Sequence, residues 1–387
     1  MILAVLREQA PGERRVALVP ESVSRLVKAG HQVQVESEAG AAAFISDEAY
    51  QQAGAEVIAS RQQLLAAADT VFSIQPPAAQ DFSAIRPGTV VIAIFQPLTL
   101  TSTDAGRLAA SQSTIFSMDA IPRISRAQSM DVLSSMSTVA GYRAVTMAAE
   151  HLGKFFPLLM TAAGTIPPAK VLVLGAGVAG LQAVATAHRL GAVVQAFDTR
   201  PVVREQVESL GASFLTITVE TEQTQDGYAT GLAEDAHARE LELLTKPVAA
   251  ADVVITTALI PGQPAPILIT AEMVKLMRPG SVVIDLAGEA GGNCEVSEPG
   301  HTVVVDGVIV DAPLNVPSQM PLHASQLYSR NVTTFFTHAT TVGLQVQEDP
   351  RRAVIEWSDE IVKRTCIFHD GELLHEPTRA RLAQERT

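Results

Sequence analysis

Three glycines follow an apolar run near the middle of the chain and have the spacing of a phosphate-binding turn. The stretch VLVLGAGVAG at 171–180 places Gly175, Gly177 and Gly180 in the pattern G-x-G-x-x-G. In this pattern the first glycine permits a tight turn, the second lets the backbone approach a pyrophosphate, and the third allows a helix to pack closely on the strand. The helix would begin at Val178, where unpaired N–H groups and the helix dipole favour an anion.

A carboxylate follows the next predicted strand and fits the same function. The strand AVVQAF ends at Asp198, about 20 residues beyond the glycines, where a carboxylate can accept both ribose hydroxyls of NAD and would repel the 2′-phosphate of NADP. Arg200 complicates this inference because an arginine nearby could pair with that phosphate. We favour NAD(H) and take Asp198, Thr199 and Arg200 as candidate nucleotide-binding residues. The alternatives are a glycine turn used only for packing and Asp198 as a helix cap or surface charge.

Length and composition predict a two-domain α/β protein. The chain has 387 residues, which is enough for two domains with a core each. Hydrophobic residues make up 47 % and aromatic residues only 4 %, so Ala, Val, Leu and Ile must build the cores, as in parallel α/β sheets. The formal net charge of −13 disfavours nucleic acid or an anionic membrane surface as a direct partner.

Several features predict a cytoplasmic protein without a metal. No apolar tract of about 18 residues is free of glycine and polar interruptions, so no membrane span is expected. The N-terminus, MILAVLREQ, reaches charge too early for a signal peptide and is better explained as a first β-strand. Cys294 and Cys366 have neither disulfide nor metal spacing. Three further histidines show no metal-ligand spacing: His188, His301 and His323.

The order of the predicted elements indicates two α/β units. Strands are predicted within 2–6, 31–36, 72–77, 90–98, 192–197, 252–259, 281–287 and 301–310, and helices within 21–30, 134–151, 181–190 and 324–342. The helix over 134–151 would leave the first domain for the second, and the tail from about 320 would return to the first. We therefore expect an α/β fold of two Rossmann-like domains with parallel sheets: a discontinuous first domain, 1–138 and 320–387, and a nucleotide-binding domain, 139–319.

Five stretches together resemble the NAD(H)-binding component of proton-translocating nicotinamide nucleotide transhydrogenase in its soluble alpha-1 form. They are RISRAQSMDVLSSMSTVAGYRAV (123–145), GAGVAG (175–180), DGYA (226–229), TALIPGQPAPILIT (257–270) and DLAGEAGGNCE (285–295). The resemblance spans nearly the whole chain. Its most specific element is RAQSMD (126–131), which a generic dinucleotide-binding domain has no reason to contain.

This resemblance implies hydride transfer from NADH on this chain to NADP⁺ on another polypeptide. Hydride moves between two carbon atoms, so the protein must place one nicotinamide ring against the other and exclude water, without acid–base catalysis. The implied partners are a second copy of this chain in a homodimer, a membrane-spanning subunit and an NADP(H)-binding domain. The chain would then be cytoplasmic and peripheral on the inner membrane through those partners.

The segment 123–134 carries the implied catalytic residues. Gln128, Asp131 and Ser134 are spaced so that they would lean toward one face of a helix, and their counterparts in the family contact the nicotinamide and its ribose. Arg123 could fold back and pair with Asp131. The alternative is an ordinary helix N-terminus, with a serine as cap, Asp131 favouring the dipole and Arg123 in solvent.

Two further segments are implied in nucleotide binding. Residues 220–237 hold few large apolar groups, which predicts a mobile surface loop, and by resemblance it would close over the nucleotide with Gly227 and Tyr228 near the adenosine. Tyr228 could also be incidental to a disordered connection. Thr257, Ala258 and Leu259 end a predicted strand on the ligand side of such sheets, where backbone contacts to the nucleotide are plausible, although these residue types are ordinary for a buried strand end.

An amino-acid dehydrogenase is the main alternative function. The opening EQAPGERRVALVP also resembles alanine dehydrogenase, which needs a lysine and a histidine at the ends of first-domain strands. The corresponding positions here carry Gln75 and Gln96, and neither glutamine can serve as a general acid or base near neutral pH. A third possibility is an NAD-sensing module without redox chemistry.

Overall fold

The chain forms two compact units. The computed structural model describes residues 1–215, 229–259 and 262–385, without the side chains of 229–236. The first unit comprises Met1–Met136 and Pro317–Thr387, and the second comprises Ser137–Val316. A mostly parallel sheet lies in each unit, which confirms the predicted α/β class with two Rossmann-like domains, the first discontinuous. Within the described ranges, none of the helices combines the length and the apolar character that crossing a bilayer requires.

The first part of the first unit alternates strands and helices. Its elements are β1 (Ile2–Val5), α1 (Pro20–Lys28), β2 (Gln32–Glu36), α2 (Asp47–Gln52), β3 (Glu56–Ile58), α3 (Arg61–Ala67), β4 (Thr70–Phe72), β5 (Val90–Ala93), α4 (Ser102–Ala110) and β6 (Thr114–Ser117). A 3₁₀ helix, Ser125–Met130, follows, and α5 (Val132–His151) continues into the second unit.

The second unit begins with a hairpin and then repeats the strand–helix alternation. Its elements are β7 (Leu159–Thr161), β8 (Gly164–Ile166), β9 (Lys170–Leu174), α6 (Val178–Arg189), β10 (Val193–Phe197), α7 (Arg204–Ser209), β11 (Ser213–Leu215), α8 (Ala229–Ala250), β12 (Val253–Thr256), α9 (Ala271–Leu276), β13 (Val282–Asp285), β14 (Thr302–Val305) and β15 (Val308–Asp311).

The tail returns to the first unit and completes its core. Its elements are α10 (Pro321–Thr341), β16 (Gln345–Glu348), β17 (Arg351–Val354), α11 (Glu360–Thr365), β18 (Cys366–His369), β19 (Glu372–Leu373) and α12 (Glu376–Gln384). Phe336 and Phe335 of α10 meet Phe72 and Phe116 of the sheet edge-on, each pair with ring centroids 5.3 Å apart. The long helix predicted over 324–342 therefore supplies aromatic core to strands formed far earlier in the chain.

Short 3₁₀ helices connect many of these elements. Besides Ser125–Met130 they are Ala41–Ala43, Ala79–Ser83, Pro97–Thr99, Met118–Ala120, Pro201–Val203, Gly288–Ala290 and Val316–Gln319. Such single turns are common at the ends of strands and helices.

Both sheets have the strand order of a doubly wound fold. The first sheet runs β19-β18-β6-β5-β4-β1-β2-β3, and the second runs β11-β10-β9-β12-β13-β15-β14. In the first sheet β18 and β19 are the antiparallel strands, and in the second β14 is antiparallel. The order reverses between β1 and β4 in the first sheet and between β9 and β12 in the second. Ligands of such sheets bind outside the carboxyl ends of the strands at these two points.

Alternating side chains of the second sheet fill a core on each of its faces. Val171, Val173 and Ile255 belong to one buried cluster, together with residues of α5 and α6. Leu172 and Val254 belong to the other cluster, with residues of α8 and α9. Strands buried on both faces read as continuous apolar runs, which explains why these strands stand out in the sequence.

Close packing at the end of β9 fixes two of the motif glycines. A Cβ on Gly180 would lie 1.8 Å from the Gly175 carbonyl oxygen, and one on Gly175 would lie 2.6 Å from the Thr257 Oγ1. Gly175 also has a φ of +96°, which side chains disfavour. By contrast, a Cβ on Gly177 would meet no heavy atom of the described residues within 4 Å. The first and third glycines are therefore required by the fold, and the second is not.

Gly180→Ala should lower the free energy of unfolding by about 3 kcal/mol or more, because backbone must move to admit the methyl group. Gly177→Ala is the matched control and should change it by no more than about 1 kcal/mol, since that site is open and its φ of −75° suits alanine. Urea unfolding followed by circular dichroism measures both. Equal destabilisation by the two variants would show that α6 does not need a glycine at position 180.

Candidate functional site

The turn between β9 and α6 leaves helix N–H groups open at the switch point of the second sheet. Gly177 is the N-cap residue of α6, and no side chain in the described ranges caps this helix. The first N–H groups of a helix have no partner within the helix, so they are available to a ligand. With no Cβ at Gly177 to cover the turn, the backbone here can come close to an anion. These features fit a bound phosphate.

Asp198 is joined directly to the glycine turn. Its Oδ2 accepts the Ala176 N–H at 2.8 Å, so the carboxylate after β10 and the loop after β9 form one arrangement. Burial alone would raise the pKa of Asp198, but hydrogen bonds from Arg200 and from Ala176 outweigh it and hold the pKa below its usual range. The carboxylate is therefore ionised at neutral pH and suited to accept hydroxyl groups. The neighbouring Thr199 is exposed.

Thr257 and Ala258 also meet the glycine turn, but their N–H groups are already bonded. The Thr257 N–H donates to the Leu174 carbonyl at 2.8 Å, and its hydroxyl donates to the Gly175 carbonyl at 3.0 Å. The Ala258 N–H donates to Asn293 Oδ1 at 3.0 Å. These two residues hold the turn in place, and their predicted contacts to a nucleotide stay predictions. Leu259 presents an exposed apolar side chain beside them.

Asn293 is a positioning residue whose importance the sequence did not reveal. Its side-chain amide binds both polar groups of the Ala258 peptide and the Pro266 carbonyl, with distances of 2.8–3.0 Å. Its own N–H donates to buried Asp285, which also accepts the Thr256 hydroxyl. This buried network ties the segment 285–295 to the end of β12. The stretch GGN looked only like a turn, because its partners are distant in sequence.

The segment 123–134 lies in the first unit up to its junction with α5, and it is not one helix. Gln128 belongs to the 3₁₀ helix and is exposed, Asp131 has an extended backbone, and Ser134 is in the first turn of α5. Asp131 accepts the Ser134 N–H at 2.9 Å and the Ser134 hydroxyl at 2.6 Å, so it caps α5. The expectation of a shared helical face was wrong, because the cap interrupts the helix at Asp131.

The predicted ion pair between Arg123 and Asp131 was also wrong. Arg123 is exposed, and among the described residues it makes no ion pair with Asp131, whose oxygens are bound by Ser134. The neighbouring Arg126 instead lies 3.6 Å from Asp359. The cap satisfies the carboxylate locally, so no arginine is needed to hold it.

The C-terminal helix of the first unit, α10, holds the 3₁₀ helix in place. Asn331 of α10 donates from Nδ2 to the Ser129 carbonyl at 2.8 Å, and Ala127 and Met130 are buried. Gln128 therefore sits exposed on a backbone that its neighbours fix from the inner side. A rigid turn with one exposed amide is suited to positioning a ligand.

The loop predicted over 220–237 is wrong from residue 229 onward. Helix α8 begins at Ala229, and its Ala, Leu and Glu residues are strong helix formers. Gly227 and Tyr228 lie outside the described residues, so their predicted contacts to the nucleotide stay predictions.

At the switch point of the first sheet, charged side chains neutralise one another. Arg15 binds Glu13 through two parallel hydrogen bonds, with Nε 2.7 Å from Oε1, and both side chains are buried. Gln75, at the predicted lysine position, donates to Glu13 Oε2 at 3.0 Å. Gln96 is exposed on a left-handed backbone with a φ of +49°. A cavity of about 250 Å³ borders this cluster.

Glu8 completes this cluster and was not identified from the sequence. Its oxygens accept the N–H groups of Ile74 at 2.6 Å and Gln75 at 3.2 Å. Burial, with a further contribution from the Glu13 carboxylate, raises the pKa of Glu8 to about 7. Among the described residues, no group of three or more His, Cys, Asp or Glu side chains could hold a metal ion.

The fold and site together define a class of protein. A glycine turn before an uncapped helix and an ionised carboxylate meet at the switch point of a doubly wound sheet, as in two-domain dinucleotide-binding proteins. Residues 4–140 match the alanine dehydrogenase/PNT N-terminal domain, and residues 144–376 match its C-terminal domain. The chain therefore belongs to the alanine dehydrogenase/PNT family.

Relatives within this family confirm the resemblance to transhydrogenase. The first of the separate chains of NAD(P) transhydrogenase subunit alpha in Rhodospirillum rubrum is 46 % identical over 97 % of this chain and 98 % of its own length. The crystal structure of transhydrogenase from Sinorhizobium meliloti superposes with a TM-score of 0.86, at 43 % identity, and covers 96 % of this chain and 100 % of that chain. Alanine dehydrogenase of Mycolicibacterium smegmatis is more distant, at 30 % identity over 97 % of this chain and 95 % of its own length.

Glu8 should make the stability of this protein fall as pH rises. Its pKa of about 7 in the folded state exceeds the ordinary value of 4.5, so the fold favours the protonated form. The free energy of unfolding should therefore decrease between about pH 4.5 and 7, by up to about 3 kcal/mol, and level off above that range. Glu8→Gln should remove this part of the pH dependence.

Urea unfolding at pH 5 and pH 8 measures the effect. Exposed Glu372→Gln is the matched control and should keep the wild-type difference between the two pH values. The same pH dependence in wild type and Glu8→Gln would show that Glu8 is not the titrating group.

Proposed function

We propose that this chain is the NAD(H)-binding subunit of a proton-translocating NAD(P) transhydrogenase. The observation that carries the proposal is the near full-length match, at 46 % identity, to the Rhodospirillum rubrum transhydrogenase alpha chain. The geometry of the second unit supports it, because Gly177, the start of α6 and Asp198 fit a dinucleotide. The partners would be an NADP(H)-binding domain and a membrane-spanning subunit that couples hydride transfer to proton translocation.

The residues of this chain would bind and orient the nucleotide. Bound NADH supplies a hydride from its nicotinamide ring, and the acceptor is NADP⁺ on the partner. The N–H groups at the start of α6 would hold the pyrophosphate, and Asp198 would accept the ribose hydroxyls. By family resemblance, Gln128, Asp131 and Ser134 would contact the nicotinamide and its ribose. None of these functions requires a proton transfer by the protein, so placement is the main catalytic contribution.

The arrangement around Arg15 favours hydride transfer between nucleotides over amino-acid oxidation. The Arg15 guanidinium is bound to Glu13, and Gln75 donates to the same carboxylate. Both Gln75 and Gln96 lack a titrating group near neutral pH. These contacts use the polar groups of the first switch point within the protein, which supports the transhydrogenase function against the alanine dehydrogenase alternative.

An exposed apolar hairpin supports the homodimer. Within the described ranges, strands β7 and β8 pair only with each other, and four large apolar side chains on or beside them are exposed: Phe155, Leu158, Met160 and Ile166. A two-stranded hairpin is barely stable in water by itself, and exposed apolar patches commonly mark interfaces. We place the contact with the second copy of the chain at this hairpin.

The test of the function is reconstitution. The purified chain alone should bind NADH and show almost no turnover, since the second nucleotide site lies on another polypeptide. Adding an NADP(H)-binding transhydrogenase domain should start hydride transfer, followed by the absorbance of a reduced NAD analogue. Gln128→Asn should slow this transfer about 10- to 100-fold and leave the Kd for NADH within about twofold, because the shorter side chain misplaces the ring. Exposed Gln345→Asn is the matched control.

Two results would contradict the proposal. NAD⁺ reduction by the isolated chain with L-alanine at enzymatic rates would favour the amino-acid dehydrogenase. NADH binding without any transfer after the partner is added would favour a sensing module.

Met160→Asp should convert the dimer to monomers, because it places a charge in the apolar contact. Met160 is 77 % exposed, so the substitution should leave the folded subunit intact. Val304→Asp on β14 is a suitable control, since Val304 is also largely exposed in the same unit. Sedimentation velocity measures the mass of each. A Met160→Asp protein that stays dimeric would show that the hairpin is not the interface.

A further inference from the structure

The Asp198 carboxylate is fully engaged within the protein. Its Oδ2 accepts the Ala176 N–H at 2.8 Å and the Arg200 Nη2 at 2.9 Å. Its Oδ1 accepts both the N–H and the Nε of Arg200, each at 2.9 Å. The oxygens assigned to the ribose hydroxyls are therefore covered by an arginine fork.

The contacts to Asp198 differ in how easily they can be broken. The N–H groups of Ala176 and Arg200 belong to the backbone and hold the carboxylate in its orientation. The guanidinium is on a side chain that is 59 % exposed, whereas the Asp198 side chain is only 7 % exposed. Exposed ion pairs contribute little to stability, so the fork can open at small cost while the backbone contacts remain.

We propose that Arg200 is a built-in competitor for the ribose of NADH. Its guanidinium occupies the acceptor oxygens of Asp198, and NADH binds tightly only after the guanidinium has moved away. The inference rests on the proposed NAD(H) site and adds to it a residue that lowers the affinity. Binding that must first displace an internal partner is weakened by the fraction of protein in the closed form.

The same pair would set the preference between NADH and NADPH. A released guanidinium could pair with a 2′-phosphate, but Asp198 competes for it and repels the phosphate. With both residues present, Arg200 reduces NADH affinity without creating an NADPH site. The arginine therefore acts against the preferred nucleotide, and a more readily exchanged NADH suits a subunit that must release its product.

The experiment is a double-mutant cycle on the full chain, with NADH and NADPH binding measured by calorimetry. Arg200→Ala should tighten NADH binding about three- to tenfold, in line with the loss of an exposed ion pair, and should leave NADPH binding no tighter. Asp198→Ala should weaken NADH binding. In the Asp198→Ala background, Arg200→Ala should give no tightening, because no carboxylate remains to compete for.

Two further variants keep the test sharp. Arg200→Lys retains the charge but cannot form the fork, so its NADH affinity should lie between wild type and Arg200→Ala. Arg189→Ala removes a positive charge from the exposed C-terminal end of α6 and should leave the Kd unchanged. Thermal unfolding checks that each variant is folded.

The outcomes separate the competitor from the binding site itself. Unchanged or weaker NADH binding by Arg200→Ala, together with weaker binding by Asp198→Ala, would overturn the competitor and leave the proposed site intact. Equal tightening by Arg200→Ala in both backgrounds would also overturn it, because the effect would not pass through Asp198. Unchanged NADH binding by Asp198→Ala would remove the ribose site and the inference that depends on it.

Discussion

The close approach of α6 to the end of β9 is the constraint on which the nucleotide site depends. It is possible only because neither Gly175 nor Gly180 has a side chain, since a Cβ at either position would overlap a neighbouring atom. The approach brings the open end of α6 against Thr257 and places Ala176 beside Asp198. Phosphate-binding N–H groups and a hydroxyl acceptor thus become parts of one rigid corner. Without that packing, each of them would be an ordinary loop residue.

The two units use the same sheet architecture for different purposes. In the second unit, the switch point keeps backbone N–H groups open and lets an exposed arginine cover the acceptor carboxylate. In the first unit, the equivalent point is closed by hydrogen bonds among Glu13, Arg15 and Gln75. A buried and neutralised cluster of this kind fixes the strand ends, because removing one member would leave a charge unpaired. Similar folds therefore diverge in function through the side chains at one point of the sheet.

Support for the functional residues comes from elements that are distant in sequence. Asn293 holds the Ala258 peptide, and Asn331 of α10 holds the turn that carries Gln128. Each amide satisfies a backbone group that the local segment leaves unpaired, which keeps irregular segments in one conformation. The positions of the exposed site residues thus depend on side chains that never need to touch a ligand.

The sequence by itself determined the main strands and helices of both sheets, the fold class and the family, because buried parallel strands are continuous apolar runs and the glycine spacing follows from local geometry. Tertiary structure decided what patterns of spacing could not. Asp131 caps α5 rather than sharing a helical face with Gln128, since its nearest donors are in Ser134. The cover of Arg200 on Asp198, the raised pKa of Glu8 and the anchor at Asn293 depend on distances and burial that only the folded chain establishes.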